Sequence, residues 1–205
     1  MKIAICLLLG YLMGSVNPAT MIAKRKQKNI REIGTGNAGA TNVMLNFGKF
    51  YGALVMVFDI AKAFCAFRIA ELLFPDLAVA GYLAGVAAVA GHVFPFYLGF
   101  KGGKGLAPFG GFVLASNPML FQFLLITGVM LMLIINYGVA LPYYGSVLFP
   151  VAMGLLKRSL PVFFLCATAS ALLMKTHVGN LKKAIHGDGE KIREYIAEKL
   201  FDKKE

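Results

Sequence analysis

Three short segments of this chain place glycine, basic and hydrogen-bonding residues close together, a pattern that suits phosphate binding. The first runs from Gly34 to Asn42 and contains three glycines, two threonines and two asparagines, with Arg31 just before it. Closely spaced glycines let backbone N–H groups approach an anion, and Thr and Asn side chains add donors. The alternative interpretation is a turn that enters the next helix, with a Thr or an Asn as its cap.

The second segment is Lys101-Gly102-Gly103-Lys104-Gly105, which follows Gly91-His92-Val93-Phe94-Pro95. A Gly-Gly-Lys-Gly run that opens a helix suits phosphate, because the amides and the helix dipole add partial positive charge to that of the lysine. The spacing is not that of a Walker A loop. The alternative is a flexible connector whose lysines lie among lipid headgroups.

The third segment, Lys175 to Lys183, contains His177 and Asn180. Their i,i+3 spacing places both side chains on one face of a helix. A histidine here could act as a general base near neutral pH. A basic helix lying on lipid would explain the lysines of this segment, but not the His–Asn pair.

Two further charged residues, Asp59 and Lys62, lie one helical turn apart inside an apolar stretch. Charges inside a membrane are costly unless they are paired or face a polar cavity. An internal ion pair and support of a site from beneath both remain open from sequence. His92 alone is expected to be a structural histidine.

The elements that position these segments are apolar spans. The chain has 205 residues, of which 58% are hydrophobic and 15% charged. Apolar stretches of roughly 20 residues match the thickness of the hydrocarbon layer, and they must be helical because backbone amides in lipid have to be paired internally. The predicted spans are 3–23, 51–74, 77–98, 106–116, 118–135, 139–156 and 160–175. The fourth and fifth could be one kinked segment, which would give six crossings instead of seven.

The orientation of the spans follows from the lysines and arginines. Five basic residues lie between Lys24 and Arg31, which places this loop in the cytoplasm, and residues 1–23 are a first transmembrane helix instead of a signal peptide. With seven crossings the basic tail is also cytoplasmic and only Lys157-Arg158 violates the rule, whereas six would place the tail outside. We therefore predict an all-α bundle of about seven transmembrane helices, with the N-terminus outside and the C-terminus cytoplasmic.

In this topology the polar segments 24–50, 99–105, 136–142 and 175–190 all lie on the cytoplasmic face. One polar face is typical of an enzyme site at a membrane surface, whereas a transporter needs polar groups through the bilayer. We predict a membrane domain over 1–176 and a cytoplasmic basic helical tail over 177–205.

Other classes of function have less support in the sequence. The net charge of +11 lies beside apolar spans, which favours anionic lipids over nucleic acid as the partner. The three cysteines have no metal or disulfide spacing. The chain also lacks the H-x-x-x-x-D, G-x-S-x-G and H-E-x-x-H motifs, so neither an acyl-enzyme nor a metal mechanism is indicated.

Taken in order, these segments resemble the bacterial acyl-phosphate:glycerol-3-phosphate acyltransferase family. The residues that carry the resemblance are Tyr11 to Ser15, Gly34 to Val43, Phe58 to Lys62, Gly91 to Pro95, Phe100 to Gly105, and His177 with Asn180. The resemblance implies acyl transfer from acyl phosphate to the 1-hydroxyl of glycerol 3-phosphate, with no cofactor, at the cytoplasmic side of a bacterial inner membrane. It also implies membrane lipids and the enzyme that produces the acyl phosphate as partners.

The resemblance further implies a set of site residues. The catalytic candidates are His177 as the base, Asn180 and Ser15. The substrate- and phosphate-binding candidates are Arg31, Gly36, Asn37, Gly39, Thr41, Asn42, Lys101, Gly102, Gly103, Lys104 and Gly105.

Several positions depart from the family pattern. Thr35 and Ala38 replace a serine and a proline, and Pro108 replaces a threonine. Val139 stands where the family has a site serine, and the family's glutamate is matched only out of register, by Glu190. These departures leave open an altered or inactive paralogue on the same scaffold. A small anion transporter is a third class, with Asp59, Lys62 and Arg68 as its only candidate charges along a path.

Overall fold

The computed structural model describes residues 1–189 and 191–194, and the regular structure of this part is helical, apart from one isolated bridge between Tyr137 and Lys191. The helices are α1 (Lys2–Ser15), α2 (Pro18–Arg25), α3 (Ala40–Phe47), α4 (Lys49–Leu73), α5 (Ala80–Val93), α6 (Leu106–Ser116), α7 (Pro118–Ile135), α8 (Ala140–Lys157) and α9 (Leu160–Ile185), with a 3₁₀ turn at Phe96–Leu98. The all-α prediction is confirmed.

Four helical stretches of the described chain are long and apolar enough to cross a membrane. They are Lys2–Arg25, Ala80–Leu98, Pro118–Ile135 and Leu160–Ile185. By length alone α4, with 25 residues, also reaches across a hydrocarbon layer of about 30 Å. Many large apolar side chains are exposed, and on α7 only Leu124 and Gly128 are buried. An exterior of this kind faces lipid.

Two helix breaks share one sequence signature. Asn17 ends the first apolar stretch early, since its side chain accepts a hydrogen bond from Thr20 N at 2.8 Å and starts α2 at Pro18. The predicted span 3–23 is therefore interrupted. Asn117 caps α7 in the same way, through Leu120 N at 2.9 Å. Because Asn is a good N-cap and Pro suits the first helical position, 106–116 and 118–135 form two helices instead of one.

Helix α5 lies at the centre of the bundle, where it contacts α1, α4, α6 and α9. Its contact with α1 depends on small residues: a Cβ atom at Gly10 or Gly14 would lie 2.1 Å from the carbonyl oxygen of Ala84 or Ala88. Small residues let transmembrane helices approach until their backbones touch. The position of α5 relative to α1 is therefore fixed by backbone contact.

The two ends of the bundle differ in polarity. At one end Lys2 forms an ion pair with Asp76, in the connection between α4 and α5, and this hydrogen bond lowers the pKa of Asp76. The other end contains the segments that sequence marked for chemistry.

Helix α9 runs without a break through residue 176, where the sequence placed the boundary between the membrane domain and the tail. After α9 the chain returns to the α7–α8 connection: Ile192 N donates to Asn136 O at 3.1 Å, and Arg193 N donates to Asn136 Oδ1 at 2.7 Å. Glu190, to which sequence assigned the family's glutamate, lies outside the described residues, as do residues 195–205 of the predicted tail.

Candidate active site at the polar end of the bundle

Three of the sequence segments meet at the polar end. The guanidinium of Arg31 lies 3.4 Å from the carbonyl oxygen of Gly102, which joins the first segment to the second. Lys104 Nζ donates to Asn180 Oδ1 at 2.8 Å, and Thr176 Oγ1 donates to Lys104 O at 2.6 Å, which joins the second to the third. The side chains of Arg31 and Lys104 are half-buried, so part of each is accessible to solvent.

The geometry of His177 suits a base. Its ring is buried, and Nδ1 lies 2.9 Å from the carbonyl oxygen of Leu173. A carbonyl only accepts, so the neutral ring carries its hydrogen on Nδ1 and keeps a lone pair on Nε2. Asn180 lies one turn further along α9 and is exposed. Both residues lie on α9, as the i,i+3 spacing predicted, with His177 in the interior and Asn180 at the surface.

Gly102 and Gly103 are held against the end of α5. Their N–H groups donate to the carbonyl oxygens of Val93 at 2.8 Å and His92 at 3.1 Å. A Cβ atom at Gly102 would lie 1.8 Å from His92 O, and one at Gly103 would lie 2.2 Å from His92 Nε2. The two glycines are therefore required for close packing, and their amides are engaged within the protein.

The following residues lead into α6. Gly105 has φ +90°, which favours glycine, and it is the residue from which α6 starts. The first N–H groups of a helix have no partner inside that helix, so the start of α6 presents the N–H groups of Leu106 and Ala107 as donors, two and three residues after Lys104. Lys101 is exposed.

The first segment is organised around Asn42. This side chain is fully buried; its amide donates to Ile30 O at 2.9 Å and Ile33 O at 3.1 Å, and its Oδ1 accepts from Thr35 N at 2.9 Å. Asn42 therefore shapes the loop from inside. Gly36 has φ +67°, a conformation in which glycine is unstrained.

The remaining candidates of the first segment lie nearer the surface or within its turns. Asn37 is half-buried, and its N–H donates to Thr35 Oγ1 at 3.4 Å. The N–H of Gly39, a buried residue, donates to Asn37 O at 3.0 Å. Thr41 is exposed on the first turn of α3.

Ser15 is buried, and its hydroxyl donates to Tyr11 O at 2.7 Å within α1. Next to it lie two residues that sequence reasoning missed. The Tyr97 hydroxyl donates to Ser15 O at 2.8 Å and accepts from Asn17 N at 3.1 Å. The Asn17 amide donates to Ala38 O at 3.3 Å, so the α1–α2 break is tied to the first segment. The Asn-Pro pair was the sequence signal for Asn17.

A buried ionic cluster lies beside the second segment. Lys62 Nζ is 2.7 Å from Asp59 Oδ1, and both side chains are about 3% exposed or less. Lys62 also donates to Val16 O at 2.7 Å and lies 2.9 Å from His92 Nδ1. The internal ion pair between Asp59 and Lys62, one of the two interpretations left open by the sequence, is present. Its lysine also contacts His92.

Two of the positions that depart from the family pattern, Pro108 and Val139, lie at the starts of helices. Pro108 is buried at the third residue of α6, where its missing N–H is one that the helix would leave unpaired in any case. Val139 precedes the first residue of α8 and is half-buried.

Fold and site together define a helical membrane protein whose basic, amide and imidazole groups are gathered at one end of the bundle. A family model for glycerol-3-phosphate acyltransferase matches residues 4–187. The chain therefore belongs to the glycerol-3-phosphate acyltransferase family, as the sequence resemblance indicated.

Relatives and solved structures agree with this assignment. A glycerol-3-phosphate acyltransferase of Clostridioides difficile (strain 630) is 35% identical over 189 residues, which cover 89% of this chain and 92% of the relative. The crystal structure of PlsY (YgiH), an integral membrane glycerol 3-phosphate acyltransferase, in its glycerol 3-phosphate form is similar with a TM-score of 0.88 and 30% identity, covering 98% of this chain and 100% of that one. Its lysophosphatidic acid form gives a TM-score of 0.83 at 29% identity, covering 93% and 95%.

Proposed function

We propose that this protein transfers a fatty acyl group from an acyl phosphate to the 1-hydroxyl of glycerol 3-phosphate, giving lysophosphatidic acid and inorganic phosphate. The observation that carries the proposal is the meeting of Arg31, the Lys104 loop and the His177–Asn180 face at one end of a membrane bundle. Related PlsY structures exist in forms with glycerol 3-phosphate and with lysophosphatidic acid, which are the acceptor and the product of this reaction.

The phosphate groups of the two substrates are the first thing such a site has to hold. Lys104 and Arg31 provide full positive charges, and Lys101 adds a third at the surface. The donors at the start of α6, next to Gly105, add the partial charge of a helix N-terminus. Gly102 and Gly103 contribute by letting this loop pack against α5. The first segment, which contains Gly36, Asn37, Gly39 and Thr41 and is shaped by Asn42, adjoins this loop through Arg31 and Ala38 O.

The chemistry needs no covalent enzyme intermediate, because an acyl phosphate is already activated. The 1-hydroxyl oxygen attacks the acyl carbonyl carbon, a C–O ester bond forms, and the C–O bond to the phosphate breaks. His177 Nε2 takes the hydroxyl proton, and inorganic phosphate leaves with the electron pair of the broken bond. Positive charge near the developing oxyanion and the leaving phosphate lowers the barrier.

The membrane explains why such a site lies at the end of a bundle. Glycerol 3-phosphate is soluble, whereas the acyl chain of the donor and of the product belongs in lipid. A polar end with Lys/Arg-rich loops lies on the cytoplasmic side under the positive-inside rule. The site therefore faces the cytoplasm of a bacterial cell from its inner membrane, at the end of about seven crossings.

The direct test is an assay with membranes that contain this protein, labelled glycerol 3-phosphate and an acyl phosphate. We expect labelled lysophosphatidate, at a rate that falls at least on the order of 10²-fold in Lys104→Ala and His177→Ala variants. A parallel reaction with an acyl thioester tests the donor, and should give no product. If the variants formed lysophosphatidate at the wild-type rate, the assignment of Lys104 and His177 to the site would be wrong. If the unaltered protein formed no product, the proposed function would be wrong.

A second test addresses Val139 and Pro108, the positions that left an altered paralogue open. We expect the unaltered chain to restore growth in a bacterial strain that lacks its own acyltransferase. Failure at normal expression, together with rescue by Val139→Ser, would instead favour the altered paralogue.

A further inference from the structure

The buried Lys62 ammonium joins three separate elements. Three groups surround this ammonium: Asp59 Oδ1 forms an ion pair with it at 2.7 Å, Val16 O accepts a hydrogen bond at 2.7 Å, and His92 Nδ1 lies at 2.9 Å. Asp59 belongs to α4, Val16 ends α1 at the point where the helix breaks, and His92 lies in the last turn of α5. The ammonium therefore fixes these three elements relative to one another.

His92 transmits this arrangement to the glycine loop. His92 Nδ1 lies 2.9 Å from Lys62 Nζ and 3.4 Å from Asp59 Oδ1. Because an ammonium can only donate, Nδ1 accepts from Lys62 and the neutral ring carries its hydrogen on Nε2. The Nε2 edge lies against Gly103, where a Cβ atom would come within 2.2 Å of it. The carbonyl of His92 also accepts the Gly103 N–H at 3.1 Å, and the carbonyl of Val93 accepts the Gly102 N–H at 2.8 Å. Both ring and backbone of His92 thus hold the loop.

Stability alone is a poor reason for such a cluster. Burying an ion pair has a desolvation cost that often exceeds its attraction, and apolar replacements of similar volume are often neutral or stabilising. Charges inside membrane helices usually serve a specific arrangement. Here the cluster contacts Gly102 and Gly103, which directly precede Lys104 in the chain. The Lys104 ammonium in turn donates to Asn180.

We propose that Asp59, Lys62 and His92 are positioning residues that hold the Gly102–Gly103 segment, and through it Lys104, in the geometry that binds a substrate phosphate. The three residues act through the loop and do not contact the substrate. The inference rests on the proposed function for its catalytic consequence, but its structural content, the fixed loop, can be measured independently of activity.

The test compares two double variants of α4. Asp59→Asn with Lys62→Met removes the buried charges without leaving either one unpaired. Arg68→Met with Glu71→Gln is the matched control. These two residues also form an i,i+3 ion pair on α4, with Arg68 Nη1 2.8 Å from Glu71 Oε2, but the pair is exposed. The measurements on purified full-length protein are the thermal midpoint, hydrogen exchange of the peptide covering 99–106, and KM and kcat for glycerol 3-phosphate.

We expect the buried double variant to expose the loop amides to faster exchange. It should also raise KM for glycerol 3-phosphate on the order of tenfold, because a displaced Lys104 loses part of its charge-assisted hydrogen bond to the phosphate. Its kcat should change less than its KM, and the exchange of α8 and α9 peptides should stay at the wild-type level. The Arg68/Glu71 control should match the wild type in both loop exchange and KM.

A third variant keeps the result decisive if the double variant does not fold. In His92→Asn an amide oxygen can still accept from Lys62, so the buried charges stay satisfied, while the ring edge over Gly103 is lost. It too should loosen the 99–106 peptide and raise KM. Wild-type loop exchange in His92→Asn, or in a folded Asp59/Lys62 variant, would overturn the inference. If the unaltered protein makes no lysophosphatidate, the proposed function fails, and the exchange measurement still decides the role of the cluster.

Discussion

At the scale of single residues, His177 allows a substitution that separates its two ring nitrogens. In His177→Asn the side-chain amide can still donate to Leu173 O, as Nδ1 does at 2.9 Å, but nothing replaces Nε2. We expect the variant to fold and to lose on the order of 10²-fold or more in kcat, the usual contribution of a general base. The check is steady-state kinetics beside a thermal midpoint. A folded His177→Asn variant with wild-type kcat would show that Nε2 is not the base.

Two glycines near the site should respond in opposite ways to the same substitution. In Gly103→Ala the new Cβ would lie 2.2 Å from His92 Nε2 and 2.9 Å from Ala38 O, so loop or ring must move, and KM for glycerol 3-phosphate should rise. Gly179, inside α9, has no atom within 4 Å of its Cβ position. Gly179→Ala should therefore keep activity and raise stability by up to about 1 kcal/mol, because alanine is the better helix former. Equal losses in both variants would contradict the packing role of Gly103.

The sequence predicted well which residues lie at the polar end. It predicted less well which groups each of these residues contacts. The i,i+3 spacing predicted the shared face of His177 and Asn180. The amides of Gly102 and Gly103 suggested anion donors, yet the structure directs them to α5 carbonyls. Asn42 likewise turned out to be buried within its own loop. Hydrogen-bond partners distant in the chain depend on tertiary packing, which residue type and spacing do not encode.

At the scale of elements, an Asn-Pro pair starts a new helix both at Asn17 and at Asn117. The sequence predicted the break at residue 117 but not the one at residue 17. The apolar run 3–23 is long enough for one span, and length outweighed the cap signal. The structure shows the structural consequence of the break: it leaves Val16 O available to Lys62 and puts Asn17 against Ala38 O. A continuous helix would pair that carbonyl internally.

The contact between α1 and α5 gives a prediction at this scale. In Gly14→Ala the new methyl group would lie 2.1 Å from Ala88 O, a backbone atom that cannot move aside without shifting α5. We expect a loss of about 1–3 kcal/mol, the usual cost of overpacking, measured as a lower denaturation midpoint in detergent. Gly110→Ala on α6 is the control, because its nearest neighbour would be Phe121 Cε2 at an ordinary 3.6 Å. If the two variants lowered the midpoint equally, close α1–α5 packing would not be the cause.

At the scale of the whole molecule, the polar segments share one end because small residues bring the central helices together there. Gly91, near the end of α5, is packed so closely that a Cβ atom would lie 2.2 Å from Tyr11 O. The same approach brings the α1–α2 break, the end of α5 and the glycine loop into contact. The composition predicted a membrane bundle and the basic loops predicted its polar side, but the central place of α5 depends on which small residues face each other.

The orientation of this end in the membrane is the last prediction, and single cysteines read by a membrane-impermeant maleimide can test it. Cys65 is the exposed native cysteine, whereas Cys6 and Cys166 are buried, so a Cys65→Ser background is suitable. Cysteines placed in 26–29, 99–101 and 186–188 should react only after the cells are permeabilised, which gives the maleimide access to the cytoplasmic side. Probes in 75–78 and 157–159 should react in intact cells, despite the Lys157-Arg158 pair. Since Arg31 contacts Gly102 and Lys104 contacts Asn180, the first three positions must label from one side. Labelling of 26–29 and 99–101 from opposite sides would rule out a common site.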